Sequence, residues 1–257
     1  MMLQHIFQIN LGRVVILLTM LFLRSFRGVA IVIAKNVHRN STHHFMLIIG
    51  LIISDMKDNN IVKANIMVQI AINKARTIEA PKFNKGKFEK AAEYALSLTR
   101  NHTDFYPILR ERFKEAGVIF VVLPNLPGSK TNGATKKIGD NILLMVNNRR
   151  LFSDTFWFTL FHEIGHIMNG DYGITFEGED CEDAADKYAE DKLIPSDAYQ
   201  SFIQAGRFDV NSIRRFANLI DRDPGIILGR LKNDKKVSYD NWQLSKAFSH
   251  QYNVKCS

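Results

Sequence analysis

The spacing of apolar residues along this chain predicts several helices that lead into a small sheet. Three segments have helical spacing: residues 61–75, residues 87–98, and a segment that begins after Asp104 and ends at Gly117. Two apolar runs rich in β-branched residues follow, at residues 118–123 and 141–147, and they predict strands. The stretch between them contains Pro127-Gly128 and Asn132-Gly133, pairs that are typical of a loop.

A strongly apolar helix is predicted next, between Ser153 and Gly170. Ser153 and Asp154 can cap its start, and Asn169-Gly170 can end it. Its surface is covered by apolar side chains: Phe156, Trp157, Leu160, Phe161, Ile164, Ile167 and Met168. The pattern indicates a buried helix of about four turns, in which polar side chains need partners.

This helix carries the sequence His162-Glu163-Ile164-Gly165-His166. Two histidines four residues apart lie on one helix face, so both imidazoles can reach a single tetrahedral Zn²⁺. Glu163 flanks the open side of the metal, where it can take a proton from a metal-bound water. The motif predicts a zinc-dependent peptidase. The alternative is a pair of core histidines that hydrogen-bond to carbonyl groups.

A third protein ligand is expected from the acidic segment that follows. In a helix that starts at Glu182, positions 182, 185, 186, 189 and 193 share one face, and three of these residues are Ala or Leu. A carboxylate on an inward face needs a cation, which predicts a site made of His162, His166 and Glu182. Asp186 can accept a hydrogen bond from the other ring N–H of a ligating histidine. Glu179 is the rival ligand, and a solvated acidic face is the alternative for Glu182.

The distribution of charge agrees with a cation site in this region. Residues 151–200 carry a net charge of −10, although the whole chain of 257 residues carries +8. An acidic surface attracts cations and disfavours nucleic acid as its substrate. The two cysteines, Cys181 and Cys256, do not make a disulfide framework and suit a reducing compartment.

The first 55 residues are poorly specified by their sequence. Apolar runs at residues 14–23 and 45–53 fall short of the ~20 residues that span a bilayer, so no stable membrane span is expected. Arg24 and Arg27 occupy the place where a signal peptide has its small-residue cleavage site.

Residues 209–231 predict two short helices separated by a break at residues 221–224, with Asp209 as the cap of the first. This pair of helices and the break between them carry basic residues: Arg214, Arg215, Arg222, Arg230 and, directly after, Lys232. One interpretation is a helix-turn-helix that binds DNA. The other is a helical pair that packs on the core or docks a protein partner.

Residues 154–171 and 182–195 resemble the core of the ImmA/IrrE family of metallopeptidases. The resemblance is carried by Phe161-His162-Glu163-Ile164-Gly165-His166 with Asn169-Gly170-Asp171, and by Glu182, Ala185, Asp186, Tyr188, Ala189 and Leu193-Ile194-Pro195. Weaker similarity at residues 117–124, 132–135 and 224–231 extends it over roughly residues 60 to 257. The version that this chain most resembles is the domain found C-terminal to a helix-turn-helix in antitoxin-type regulators.

The resemblance implies a gluzincin-like site with His162, His166 and Glu182 as zinc ligands and Glu163 as the catalytic carboxylate. It also implies a cytoplasmic regulator whose partner is a helix-turn-helix repressor or a toxin. Such a regulator cleaves or engages a repressor of a mobile element, stress or toxin–antitoxin circuit. Two alternatives stay open: a non-hydrolytic antitoxin-like or repressor-binding module with a vestigial metal site, and a DNA-binding regulator acting through residues 209–231.

The expected fold is α+β, with a zincin-like core in which a small sheet packs on the HExxH helix, plus flanking helices. An exposed strand in the 130s or 140s is expected to align an extended peptide. The chain divides into four segments: an apolar extension (1–55), a helical lead-in (56–116), a metallopeptidase core (117–205) and a C-terminal helical region (206–257).

Overall fold

The computed structural model describes residues 59–149, 152–176, 183–252 and 254. These residues form an α+β fold of nine helices and one four-stranded sheet. The elements in chain order are α1 (Asn59–Ala75), α2 (Lys85–Ser97), α3 (Phe105–Glu115), β1 (Val118–Leu123), β2 (Thr131–Ile138), β3 (Asn141–Asn147), α4 (Ser153–Asn169), β4 (Ile174–Phe176), α5 (Asp183–Leu193), α6 (Ser196–Ala205), α7 (Val210–Leu219), α8 (Pro224–Asn233) and α9 (Trp242–Phe248). The predicted extension at residues 1–55 lies outside the described residues, as do Glu179, Cys181, Glu182 and Cys256.

The sheet has the strand order β1-β3-β2-β4. Strands β1 and β3 are parallel, with Val118 opposite Ile142, whereas β2 pairs antiparallel with both β3 and β4. The prediction of strands at β1 and β3 is confirmed, but the prediction that Asn132-Gly133 lies in a loop is wrong. These two residues lie within β2, a strand whose polar and glycine-containing sequence gives little β signal by itself.

The expectation of an exposed strand in the 130s or 140s holds for only part of β2. Strand β3 is flanked by β1 and β2, whereas β4 pairs with β2 only from Thr131 to Ala134, so among the described residues no strand pairs with the outer edge of β2 at Lys136, Lys137 and Ile138. The outer strand on this side is β4, which is only three residues long.

Both faces of the sheet are buried, which explains the continuous apolar runs in β1 and β3. Ile119, Val121 and Leu143 pack with Met67 and other residues of α1 on one face. On the other face, the alternate residues of the same strands pack with α3, α4 and the helices that follow. This second cluster runs from Phe88 to Val254, so it joins residues of the lead-in, core and C-terminal segments.

Helix α4 ends where the sequence predicts but begins in a different way. Gly170 adopts the left-handed conformation at φ 81° and ends the helix. The prediction of a Ser153 or Asp154 cap is wrong, because Phe152 is the N-cap residue and no side chain caps the helix. Ser153 is buried because α8 crosses here, where a Cβ on Gly225 would lie 2.1 Å from the Ser153 hydroxyl oxygen.

The start of α4 is tied to the C-terminal segment by a buried hydroxyl. The Trp157 indole N–H donates to the Tyr252 hydroxyl at 2.7 Å, and this hydroxyl donates to the carbonyl oxygen of Thr99 at 3.1 Å. Burial and the nearby Asp223 carboxylate raise the pKa of Tyr252, which keeps its hydroxyl protonated. One hydroxyl therefore joins α4, the end of α2 and the C-terminal segment.

We expect Tyr252→Phe to lower the free energy of unfolding by about 1–3 kcal/mol, because it leaves a buried indole N–H and a buried carbonyl unsatisfied. Urea denaturation measures this loss. Tyr239→Phe is the matched control, since Tyr239 is 68% exposed, and it should change stability little. Equal stability of the two variants would show that the Tyr252 hydroxyl contributes nothing.

Helices α5, α7 and α8 follow the predicted pattern, whereas α6 and α9 were not predicted. The Asp209 side chain accepts hydrogen bonds from the backbone N–H groups of Asn211 and Ser212, which confirms it as the cap of α7. In α5 the residues predicted to face inward, Ala185, Ala189 and Leu193, are buried. Within the ranges the structure describes, no helix has both the length and the apolar character needed to cross a membrane.

Candidate metal centre

The two histidines of the HExxH sequence meet on the buried side of α4. Both side chains are largely inaccessible, with 6% of His162 and 13% of His166 exposed. Their Nε2 atoms lie 3.0 Å apart. Zinc–nitrogen bonds are ~2.0–2.1 Å long, so one ion can bind both nitrogens across this separation with little adjustment.

Each histidine has a carboxylate at its other ring nitrogen. Asp186 Oδ1 lies 2.7 Å from His162 Nδ1, and Asp171 Oδ1 lies 3.2 Å from His166 Nδ1. A carboxylate accepts hydrogen bonds, so each aspartate favours a proton on the Nδ1 that it faces. The neutral ring then presents an Nε2 lone pair, which is the tautomer a metal ligand requires.

In these tautomers, the Nε2 lone pairs of His162 and His166 point toward each other. Two acceptors at 3.0 Å repel each other unless a cation lies between them, as a proton on one ring or as a metal ion bound to both. Aspartates and the facing imidazole are partners of these two rings, an arrangement that the alternative of two core histidines bonded to carbonyl groups does not by itself predict. The donor set therefore fits a zinc ion.

The third predicted ligand, Glu182, lies outside the described residues, as does its rival Glu179. Among the described residues, no group of three His, Cys, Asp or Glu side chains is arranged to hold a metal ion. Asp183, the first residue of α5, directly follows Glu182 in the sequence. The assignment of Glu182 therefore stays a prediction.

A close contact between helices brings Asp186 to His162. A Cβ on Gly165 would lie 3.1 Å from the Ala185 Cα and 3.2 Å from the Tyr188 Cβ. Glycine and alanine at this crossing allow the backbones of α4 and α5 to approach, since larger side chains would separate them. The glycine of the HExxH sequence thus contributes to the hydrogen bond between Asp186 and His162.

The Glu163 side chain lies against strand β2. It is fully buried, and a Cβ on Gly133 would come within 2.2 Å of its Oε1. Only glycine leaves this space, so β2 fixes the position of the predicted catalytic carboxylate. Glu163 directly follows His162 on α4, so its side chain leaves the helix about 100° further round than that of His162.

We expect Gly133→Ala to reduce any Glu163-dependent activity at least tenfold, because the added methyl group displaces the carboxylate. The variant should still bind zinc, because the three atoms nearest to the added methyl group all belong to Glu163. Activity and zinc content are measured on the same preparation. Gly139→Ala is the control, because a Cβ at Gly139 meets nothing within 4 Å, although its positive φ adds some strain.

Four residues near the HExxH sequence carry groups that could stabilise an oxyanion: Tyr172, Tyr188, Arg149 and Arg150. Arg150 lies outside the described residues, and Arg149 and Tyr172 are exposed. Burial, together with the charges of Glu93 and Glu89 on α2, raises the pKa of Tyr188 to about 12. The Tyr188 ring therefore lies toward α2, whereas Asp186, two residues earlier, faces the histidines.

A cleft of about 390 Å³ opens along α4 and is lined in part by Asp186, the partner of His162. Its floor includes Asp154, Thr155 and Phe158, which lie on the same side of α4 as His162. Asp186 and Glu190 of α5 form one wall, and α8 forms another. Asp186, which hydrogen-bonds to the predicted zinc ligand His162, is therefore also part of the cleft wall.

The packing of α8 does not support a helix-turn-helix at residues 209–231. The helix is buried through Ile226, Ile227, Leu228 and Leu231, and a Cβ on Gly229 would lie 2.5 Å from the Asp154 Cβ. The helix that would enter a DNA groove is therefore packed on α4. The Arg222 guanidinium donates a hydrogen bond to the Leu193 carbonyl oxygen, so this side chain binds to the end of α5.

Sequence reasoning missed Asp171 as a partner of His166. The left-handed Gly170 reverses the chain, and the backbone N–H groups of Gly170 and Asp171 both donate to the His166 carbonyl oxygen. This turn returns the Asp171 carboxylate to the last turn of α4. The sequence Asn169-Gly170-Asp171 contained the signal, since an acid directly after a C-terminal glycine folds back on the helix end.

Comparisons with known proteins identify no relative of this chain. No protein-family model matches it, and no similar protein was found among curated proteins or solved structures.

Proposed function

We propose that this protein is a zinc-dependent endopeptidase with a zincin-like core that hydrolyses a peptide bond in a protein substrate. The proposal rests above all on the two Nε2 atoms, 3.0 Å apart, whose rings are each oriented by an aspartate. His162, His166 and Glu182 would hold the ion. The resemblance of residues 154–171 and 182–195 to the ImmA/IrrE family supports the same assignment.

The residues beside the ion would perform the proton transfers. A zinc ion held there would lower the pKa of its bound water to about 7 and would polarise the scissile carbonyl. Glu163 accepts a proton from the attacking water and then delivers it to the leaving amine. Gly133 holds the Glu163 carboxylate in place, and Asp186 and Asp171 hold the two imidazoles.

The proposed substrate is a transcriptional repressor of a mobile element, stress or toxin–antitoxin circuit, encountered in the cytoplasm. Support for this substrate comes from the resemblance to the peptidase domains of antitoxin-type regulators. The net charge of −10 over residues 151–200 also suits a basic polypeptide better than nucleic acid.

The test is to incubate the zinc-loaded chain with the helix-turn-helix regulators encoded beside its gene and to identify products by mass spectrometry. We expect one or a few defined cuts that a chelator abolishes. Stoichiometric zinc with no cut in any regulator or unfolded protein would instead favour the non-hydrolytic binding module.

A further inference from the structure

The cleft lined by Asp186 combines apolar side chains with the Asp154 carboxylate. Phe158 lies on its floor, and Leu193, Ile194 and Ile226 line its sides. Asp154 lies eight residues before His162 on α4, which corresponds to about 12 Å along the helix. A ligand side chain that runs along α4 from Asp186 to Asp154 would lie against these apolar residues.

Most charged groups in the cleft already have partners of opposite charge or a hydrogen bond. The Arg230 guanidinium contacts Glu190 at 2.8 Å and Asp234 at 2.9 Å. Although burial opposes its charge, the hydrogen bond with Asp234 and the charge of Glu190 raise the pKa of Arg230. The Lys232 ammonium donates to the Ser245 hydroxyl at 2.8 Å, and Asp186 contacts His162.

Asp154 differs from these groups. Within the described part of the chain, no cation lies at ion-pair distance from its carboxylate, which accepts one long hydrogen bond of 3.3 Å from the Thr155 hydroxyl. The side chain lies against Gly229, where a Cβ would come within 2.5 Å of the Asp154 Cβ, so glycine leaves room for the Asp154 side chain at this wall of the cleft. The cleft therefore contains one carboxylate, Asp154, that has no ion-pair partner in the described part of the chain, and one ammonium, Lys232, that donates to a neutral hydroxyl.

We propose that this cleft is a subsite that selects a lysine or arginine side chain next to the scissile bond, with Asp154 as the specificity-determining residue. This inference rests on the proposed peptidase function. Lysine and arginine have apolar stems that fit against Phe158 and Ile226, and their charged ends need a carboxylate. A DNA-binding repressor offers such side chains, because it uses them to contact phosphates.

A second explanation for Asp154 is its place in the first turn of α4, where a negative charge interacts favourably with the helix dipole. This role would affect stability and leave substrate choice unchanged. Asp197 occupies the first turn of α6, is exposed and does not line the cleft. Asp197→Asn is therefore the matched control for the loss of an acid from a helix start.

The experiment compares the zinc-loaded wild type, Asp154→Asn, Asp154→Lys and Asp197→Asn on a mixture of peptides with randomised sequences. Mass spectrometry identifies the residues that flank each cut. For the wild type and Asp197→Asn, we expect cuts beside lysine or arginine to be roughly tenfold enriched over cuts beside glutamine or methionine, as a charge-assisted hydrogen bond allows. Asp154→Asn should lose the enrichment, and Asp154→Lys should prefer aspartate or glutamate.

A binding measurement that needs no hydrolysis separates this inference from the proposed function. Calorimetry on the Glu163→Gln protein, with and without Asp154→Asn, compares N-acetyl-arginine amide with its neutral analogue N-acetyl-citrulline amide. Stronger binding of the arginine compound, lost with Asp154→Asn, supports the subsite even if no peptide is cut. Equal binding of both compounds, or cuts that ignore charge, would overturn the subsite and leave the peptidase proposal standing.

Discussion

Glu163→Gln should abolish peptide hydrolysis while the protein keeps its zinc and its fold. Glutamine has almost the same shape as glutamate, so it fits the buried space beside Gly133. It cannot accept the proton of the attacking water, and loss of general base catalysis lowers rates by roughly 10²- to 10⁴-fold. The cleavage rate and the zinc content of the same preparation are the two measurements.

The control for this substitution is Glu115→Gln, which makes the same chemical change on an exposed position at the end of α3. It should cleave at the wild-type rate. A Glu163→Gln protein that cleaves nearly as fast as the wild type would remove Glu163 from the reaction. A variant that loses zinc would assign Glu163 to the metal site.

His166→Ala should lose the metal. The substitution removes one of the two nitrogens that face each other at 3.0 Å, and it leaves the Asp171 carboxylate without its imidazole partner. Substitutions that affect only the groups around a metal ligand already weaken binding by roughly 10- to 100-fold, and loss of a ligand should exceed this. Zinc per chain, measured after dialysis against a weak chelator, should fall from one to near zero.

His250→Ala is the matched control, because His250 is an exposed histidine near the C-terminus. This variant should keep one zinc per chain. If His166→Ala also keeps its zinc, the assignment of His166 as a ligand is wrong.

The helices could be predicted largely because their signals are local. The apolar stripe and the final glycine of α4, and the cap of α7, depend on residues within the same element. Both buried strands, β1 and β3, stood out for the same reason, since burial on two faces gives continuous apolar runs.

The features that sequence reasoning missed depend on contacts between distant elements. Strand β2 contains Gly133, Lys136 and Lys137, and it is a strand because β3 and β4 pair with it. The buried start of α4 depends on its crossing with α8 at Gly225, about seventy residues away in the sequence. Such long-range pairings override local propensity, so a single sequence does not reveal them.

The candidate site likewise contains features that the sequence predicts and one that it does not. The histidine pair follows from helical spacing alone, and the position of Asp186 follows from the inward face of α5. The close contact between Gly133 and Glu163 links strand β2 to helix α4, so the sequence of neither element alone predicts it. The close contact between β2 and α4 is therefore the part of the site that the sequence did not reveal.

The central claim is that one zinc ion is bound by His162, His166 and Glu182. A crystal of the zinc-loaded protein, with anomalous diffraction data collected at the zinc absorption edge, tests this claim most directly. We predict a single peak bonded to the Nε2 atoms of His162 and His166 and to a Glu182 carboxylate oxygen, at ~2.0–2.2 Å from each atom. A peak elsewhere, or a Glu182 side chain too far away to share the ion with the two histidines, would contradict the proposed site and the hydrolase built on it.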